Sequence, residues 1–439
     1  MKRLLANSIP KGTTDVFGVE ARTKDYVLGK IKDVYEKYGF EPLYTPIIEN
    51  AEVFNGHHGE GEKLLFKLLD KENNELVLKY DSTVPLARVV SMYDTISMPY
   101  KRYQLQQSFR DDSVDKGHFR EFIQCDCDIV ATESLISDAE IAMIAYDGLS
   151  RIGFDDFTIR LNHRKIIQGI AEKSGEFSKD AILEIQRAID YADKVIKNGV
   201  EGIRTDLSKR GISGSVIETI CEVVQLIRNT PMETLDNIEE YFSDYPVALD
   251  GINELKEILS YIPHKMISKM KIDFTLARGA DYYTGFIIEA VINDIKLGAV
   301  LGGGRFDNLV EAFSDKKVPA VGMAFGLERL LTAMDELGLT QKLDILPDKI
   351  LILENSEFKK ETISCATYLR EEFDVSILYG EHDNDYVLDY ASKGGFQMLL
   401  ELKEKNLLEI TFLNDDHQYM HKVIDKFLSS NYEYVEKTK

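Results

Sequence analysis

From Phe122 to Ile129 the chain alternates without a break: Ile123, Cys125, Cys127 and Ile129 are apolar, and Gln124, Asp126 and Asp128 between them are polar. Successive side chains of a β-strand point to opposite faces. A strand here has one core face and one face carrying an amide and two carboxylates. Buried polar groups must be satisfied, so the second face is either wet or meets a polar ligand. Spacing alone leaves both readings open. The Cys125-x-Cys127 pair belongs to the apolar face. Zinc sites add a second cysteine pair or nearby histidines; Cys221 and Cys365 lie far away, and the eight histidines supply no second half of such a site. The pair reads as small core side chains.

A chain of 439 residues is long enough for two or three domains. Its longest apolar runs are short; Glu289 interrupts the one from Phe286 to Ile292. None nears the roughly 20 residues of a membrane-spanning helix. Behind Lys2 and Arg3 stand only Leu4, Leu5 and Ala6, short of a signal-peptide core. The expected place is therefore the cytoplasm, with reduced cysteines. The net charge of −22 excludes non-specific nucleic-acid binding, which needs lysine and arginine at phosphates. Any RNA contact must use local patches; Lys101-Arg102 and Lys209-Arg210 are candidates, and solvated surface is the plainer reading of each.

Val27, Ile31, Val34, Tyr35 and Tyr38 recur at helical spacing and predict a helix over 18–38, ended by Gly39. An extended stretch (40–48), a hairpin of strands (64–69 and 75–80) and a helix opened by Pro85 follow. The segments 100–109 and 119–130 read as an antiparallel pair joined by a polar loop. From about 174 to 262 the pattern is helical, an insertion. Strand signals return at 271–276, 284–293 and 297–301. Gly302-Gly303-Gly304 reads as a turn where backbone approaches a ligand. A strand around Val321 runs into a helix over 326–337, whose apolar stripe is Leu327, Leu330, Leu331 and Met334. Residues 336–348 read as a linker. Strand and helix then alternate over 349–439 as in a small α/β domain. The expected class is an α+β catalytic domain on an antiparallel sheet, spanning 1–335, with a helical insertion and a C-terminal α/β domain.

Single segments carry weak chemistry. Phe109-Arg110-Asp111-Asp112 places an arginine fork at the mouth of the polar loop, with Arg120 returning; an ion pair between Arg110 and its acidic neighbours is the bland alternative. Arg278-Gly279-Ala280-Asp281-Tyr282-Tyr283-Thr284-Gly285 sets an arginine and two tyrosines at a junction. Arg329, off the apolar stripe, reads alone as surface.

Their order along the chain is decisive. Pro10-Lys11-Gly12-Thr13 and Tyr44 to Glu49 resemble motif 1 of class II aminoacyl-tRNA synthetases. Phe109 to Asp112 with Phe119-Arg120-Glu121-Phe122 resembles motif 2, and Pro319 to Gly322 through Gly326-Leu327-Glu328-Arg329 resembles motif 3. More specifically, Arg278 to Gly285 resembles the first histidine signature of histidyl-tRNA synthetases and Gly302 to Leu309 the second. Leu78 to Pro85 and Gln124 to Asp128 are closest to the eukaryote-like branch.

The resemblance implies that L-histidine is joined to AMP from ATP with Mg2+, then passed to the 3′ end of tRNA(His) by a homodimer. It implies that Asp81, Thr83 and Gln124 hold the amino-acid end, that Asp128 and Tyr283, beside Tyr282, read the imidazole, and that Arg110 and Arg278 flank the α-phosphate. Arg110, Asp112, His118 and Arg329 would hold the nucleotide, with no protein-bound metal. A site that bonds both ring nitrogens rejects analogues that leave buried groups unpaired. Two departures stand out. Gly117-His118-Phe119-Arg120 replaces the usual Gly-Arg-Tyr-Arg, exchanging an arginine for a partly charged histidine. Phe306-Asp307-Asn308 replaces Tyr-Asp-Gly. Residues 341–439 hold 12 Lys and Arg against 20 Asp and Glu, and Leu400-Glu401-Leu402-Lys403 stands where Gly-x-x-Glu is usual. A non-catalytic paralogue, such as the histidine-sensing regulatory subunit of ATP phosphoribosyltransferase, is the alternative; it usually lacks the Arg-Gly present here at Arg278-Gly279.

Overall fold

The structure is a computed structural model that describes residues 8–54, 63–195, 198–277, 283–343, 349–405, 407–413 and 433–436. Its contacts divide the chain into a large unit, Met1–Asp15 with Lys24–Lys342, and a small unit, Val16–Thr23 with Leu343–Lys439.

The large unit is built on an eight-stranded sheet ordered β1-β5-β6-β11-β10-β9-β7-β8. Its strands are β1 (Glu41–Pro42), β5 (Tyr100–Phe109), β6 (Glu121–Val130), β7 (Phe157–His163), β8 (Met270–Ile272), β9 (Phe286–Ile292), β10 (Ala299–Arg305) and β11 (Ala320–Gly326). All neighbours run antiparallel except β1–β5 and β7–β8 at the two ends. A second sheet, β2 (Ile48–Asn50), β4 (Glu75–Leu78) and β3 (Lys67–Leu69), contains the expected hairpin.

One face of the large sheet is sealed by helices. In α1 (Gly18–Lys37), Val27, Ile31, Val34 and Tyr35 are buried, one stripe of a helix otherwise polar. The Tyr35 hydroxyl donates to the Cys125 carbonyl at 2.6 Å, fixing that helix on the apolar side of β6. In α3 (Leu135–Ile152), Gly148 leaves room for the Phe325 ring, which a Cβ there would meet at 2.5 Å. Cys125 and Cys127 are fully buried on this side, as core packing requires.

The remaining helices of the large unit are α2 (Thr83–Met92), α4 (Arg164–Lys173), α5 (Lys179–Val195), α6 (Gly199–Lys209), α7 (Gly214–Gln225), α8 (Pro231–Tyr241), α9 (Pro246–Ser260), α10 (His264–Ile267) and α11 (Leu327–Glu336). The run α5–α9 is the expected helical portion. It is joined to the sheet by charge: Arg160 on β7 pairs with Asp193 of α5, with Asp273 at 2.8 Å and with Glu289 of β9 at 3.3 Å.

Three local expectations are corrected. Gly302, Gly303 and Gly304 lie inside β10, not in a turn, because neighbouring backbone leaves no space for side chains: a Cβ on Gly303 would sit 2.2 Å from the Gly322 carbonyl oxygen. The strand signal at 271–276 stops at Ile272, since the Asp273 carboxylate accepts the Thr275 N–H at 3.0 Å and turns the chain. Helix α2 begins at Thr83, before Pro85, because the Asp81 Oδ1 accepts the N–H groups of Thr83 (3.1 Å) and Val84 (3.0 Å).

The small unit contains a five-stranded sheet, β13 (Asp374–Leu378), β12 (Lys349–Leu353), β14 (Met398–Glu404), β15 (Leu407–Phe412) and β16 (Glu433–Glu436), in that order. Only β14–β15 is antiparallel. Its helices are α12 (Lys359–Leu369) and α13 (Asn384–Gly394). The chain is α+β with a helical portion and a C-terminal α/β part, as expected. Among the described residues no helix is long and apolar enough to cross a membrane.

Candidate active site

The unsealed face of the large sheet can be read row by row from its register. Arg102, Gln104 and Gln106 of β5 stand opposite Asp128, Asp126 and Gln124 of β6. Those three face Gly322, Ala324 and Gly326 of β11. Gly322 and Ala324 face Gly304 and Gly302 of β10. Alternation puts all of these on one side. Two strands of polar side chains therefore border a floor almost without side chains. The floor is a requirement: a Cβ on Gly322 would lie 2.0 Å from the Asp128 carboxylate. A Cβ on Gly304 would lie 2.9 Å from the Tyr283 ring. Asp128 and Tyr283 thus flank adjacent glycines at one end of a groove. The opposite end, at Gln124 and Gly326, is roughly 13 Å away along the strands.

Two of the three polar residues are buried, against the solvated reading of the Gln124–Asp126–Asp128 face: Asp126 is 2% exposed and Asp128 3%, while Gln124 is half-buried. Arg102, expected as surface or an RNA patch, is fully buried and pairs with Asp128 at 2.7 Å. Lys101 points elsewhere, to Glu140 at 2.7 Å. Lys79 is buried as well, its Nζ 3.1 Å from the Gln106 side-chain oxygen. Burial depresses the Lys79 pKa to about 8. Burial also raises Asp126 to about 7 and Asp128 to about 6, with Arg102 opposing the rise in both. Gln124 Oε1 and Asp126 Oδ2 are buried without a hydrogen-bond partner. Such orphaned acceptors mark a face awaiting donors. Three carboxylates, Asp81, Asp126 and Asp128, stand against two cations, Arg102 and Lys79. When all are ionised, one negative charge remains for a cationic ligand to balance.

At the far end Arg110 does not pair with its acidic neighbours. Its guanidinium lies over the Tyr80 ring (4.3 Å) and the Phe122 ring (5.1 Å), and its Nε donates to the Tyr80 carbonyl at 3.4 Å. Asp111 pairs instead with Arg120 at 3.1 Å. Asp112 is half-buried, with the His118 Nε2 3.8 Å from its carboxylate. The loop bearing His118 docks on α11: Lys116 pairs with Glu336 at 2.7 Å, and a Cβ on Gly117 would come within 3.3 Å of Arg329. Arg329 is not mere surface. It donates to the Ala299 carbonyl at 2.6 Å, beside Gly298 and Gly326.

The second signature acts on the first. Arg305 is buried and bonds the Asp138 carboxylate through two nitrogens. Asp307 accepts the Thr284 hydroxyl at 2.7 Å, which holds the chain next to Tyr283. Phe306 lies in an apolar cluster with Val84, Leu86 and Val310, against which Tyr283 packs. The site residues Arg278 and Tyr282 lie outside the described residues. Of the others, the structure places Asp128 and Tyr283 at one end of the groove, with the Asp81–Thr83 segment joined to that end through Arg102, and Gln124 toward the opposite end beside Gly326, around which Arg110, Asp112, His118 and Arg329 lie. Sequence reading missed Arg102, Lys79 and Gln104. The polar alternation 102-104-106 was the available signal.

The family model for histidyl-tRNA synthetase matches residues 12–330. The chain belongs to the histidyl-tRNA synthetase family. A histidine–tRNA ligase of Aeropyrum pernix is 37% identical over 333 residues, 75% of this chain and 74% of that protein. One of Gloeobacter violaceus is 36% identical over 424 residues, 88% and 89% of the two chains. The crystal structure of a histidyl-tRNA synthetase from a Nostoc species superposes with a TM-score of 0.77 at 27% identity, covering 91% of this chain and 93% of that one. A Bacillus halodurans protein, described as an ATP phosphoribosyltransferase regulatory subunit/histidyl-tRNA synthetase, shares the fold, with a TM-score of 0.74 at 20% identity over 91% and 99% of the chains.

Proposed function

We propose that this chain is a histidine–tRNA ligase whose active site is the glycine-floored groove. The observation that carries the reading is the row Gln124–Asp126–Asp128, whose two carboxylates are buried and which carries orphaned acceptors, together with an arginine beside the Tyr80 and Phe122 rings. L-histidine brings the missing positive charge in its α-amino group, which Asp81, Thr83 and Gln124 receive. Asp81 spends one oxygen on the backbone of α2 and is thereby fixed in direction. Asp128 and Tyr283 bond the two imidazole nitrogens from either side of the floor.

The histidine carboxylate attacks the α-phosphorus of ATP, and the bond from that phosphorus to the α,β-bridging oxygen breaks, releasing pyrophosphate. Arg110 stabilises charge growing on the α-phosphate. Among the described residues its terminal nitrogens bond nothing, so they are available without reorganisation. Arg278 is assigned to the same phosphate on the strength of the signature it belongs to. Arg329 and His118 hold the outer phosphates. Mg2+ accompanying the nucleotide would offset the phosphates' charge, and Asp112, beside His118, is the carboxylate that would face it. The 3′-terminal hydroxyl of tRNA(His) then attacks the histidyl carbonyl, and AMP leaves. The protein works in the cytoplasm as a homodimer. Tyr44, Ile48 and Leu69 are 74, 51 and 68% exposed on and beside the motif 1 segment, apolar surface that a second copy covers. The domains are those of the sequence reading: catalytic 1–335 with its insertion, a linker, and an anticodon-binding-like domain from 349.

Histidine-dependent exchange of pyrophosphate into ATP, followed by charging of tRNA(His), tests the reading on the purified chain. Arg278→Ala should abolish exchange and leave histidine binding, because its partner charge develops only in the transition state. Histidine binding without exchange in the unaltered protein would hand the assignment to the sensing paralogue. A stable monomer in sedimentation at micromolar concentration would overturn the dimer.

A further inference from the structure

Arg102 is the largest of the fully buried side chains. Burying a guanidinium calls for acceptors, and both terminal nitrogens of Arg102 have them, although its Nε finds none among the described residues. Its contacts join two separate parts of the groove. One terminal nitrogen lies 2.7 Å from the Asp128 carboxylate and donates to the Ser82 carbonyl at 3.2 Å. The other donates to the Gln104 side-chain oxygen at 3.2 Å. Ser82 sits between Asp81 and Thr83, in the segment that caps α2. A single planar, permanently charged group therefore ties the strand bearing Asp128 to the loop bearing Asp81. It does so from the neighbouring strand β5, on the same face of the sheet, while Gly322 pairs with Asp128 from the other side.

We infer that Arg102 is a positioning residue for histidine recognition: it orients Asp128 toward the imidazole and, through the Ser82 carbonyl, sets the distance between the imidazole-reading and amino-reading ends of the pocket. This inference rests on the histidine-activating reading of the groove. Lysine cannot replace Arg102 fully, because one ammonium cannot span both acceptors in a plane. Among the described residues, the charged groups acting on Asp128 are Arg102 on β5 and Asp81 on the segment after β4, with Asp126 on its own strand and Gly322 as its partner on β11. Of these, Arg102 opposes the rise of the Asp128 pKa. Without it the carboxylate protonates at higher pH and stops accepting from the ring.

The test is steady-state pyrophosphate exchange with Arg102→Lys and Arg102→Gln, after thermal melts have shown that each variant is folded. Arg102→Lys keeps the buried charge and provides the folded variant should Arg102→Gln fail. Histidine KM should rise about ten- to hundredfold in the glutamine variant, the range for hydrogen bonds to a charged group, and less in the lysine variant. ATP KM should stay the same. The ratio of variant to unaltered histidine KM cancels titration of the substrate's own ring. For Arg102→Gln that ratio should be larger at pH 6 than at pH 8. An unchanged histidine KM in the folded lysine variant, a parallel rise in ATP KM, or a pH-independent ratio would overturn the inference. Absence of exchange in the unaltered protein would instead overturn the reading beneath it.

Discussion

In the five-stranded sheet of the small unit both faces are apolar. Ile350, Ile352, Met398, Leu400 and Ile410 fill one side; Leu351, Leu378, Val387 and Phe396 fill the other. In the eight-stranded sheet one face holds Tyr35, Cys125, Cys127 and Phe325, and the opposite face buries Arg102, Gln104, Asp126, Asp128, Arg160 and Asn162. A sheet sealed by side chains on both faces can offer chemistry only at its edges and loops. A sheet that buries charges on one face has paid for a site in stability, because desolvation disfavours every one of them. The same contrast runs through single strands. In β6, odd positions face the helix-sealed core and even positions face the groove.

The contrast can be broken most sharply at Gly322. Gly322→Ala sets a methyl group 2.0 Å from the Asp128 carboxylate, which must move. Exchange should fall at least roughly a hundredfold, about 3 kcal/mol of lost transition-state stabilisation, while circular dichroism keeps its folded signature. Unchanged exchange would remove Asp128 from the site. In the small unit, Ile352→Ala should cost about 2–4 kcal/mol in denaturant stability through the cavity it leaves. It should leave histidine KM alone, and a raised KM would show that the apolar sheet bears on the pocket.

Asp126→Asn gives an effect of opposite sign. The folded-state pKa of Asp126 is raised to about 7, above the ordinary 3.8. Stability from its neutral form is complete below about pH 4 and is lost as pH rises through 7. The variant should therefore melt higher than the parent at pH 8, by on the order of 2 kcal/mol, and by less at pH 5. Equal shifts at both pH values would deny that Asp126 is strained by burial. The smallest effect belongs to His118→Arg, which should lower ATP KM by about 1 kcal/mol in binding terms. No change would place the loop outside the nucleotide site.

Much of this was legible before any coordinates. Periodicity found β5, β6, α1, α13 and the helical run α5–α9, because each buries one face and exposes the other. The motif order located Asp81, Gln124, Asp128, Arg110 and Arg329. Periodicity failed at Gly302-Gly303-Gly304, where glycine usually signals a turn. Here it marks crowding between strands, and crowding is invisible until the neighbours are known. Lys101-Arg102 was misjudged for the same reason. Two adjacent basic residues look like surface, yet on a strand they face opposite ways, and Arg102 faces inward.

The sequence by itself determined the alternation of faces, the family, and the residue types available to recognise histidine and phosphate, since these depend on local period and order. Only the tertiary structure decided which polar face is buried, that Asp128 and Tyr283 flank adjacent glycines, and that Arg102 joins Asp128 to Ser82. Those facts depend on register between strands remote in sequence. A shift of one residue in that register would turn the carboxylates into the core and the cysteines toward the ligand.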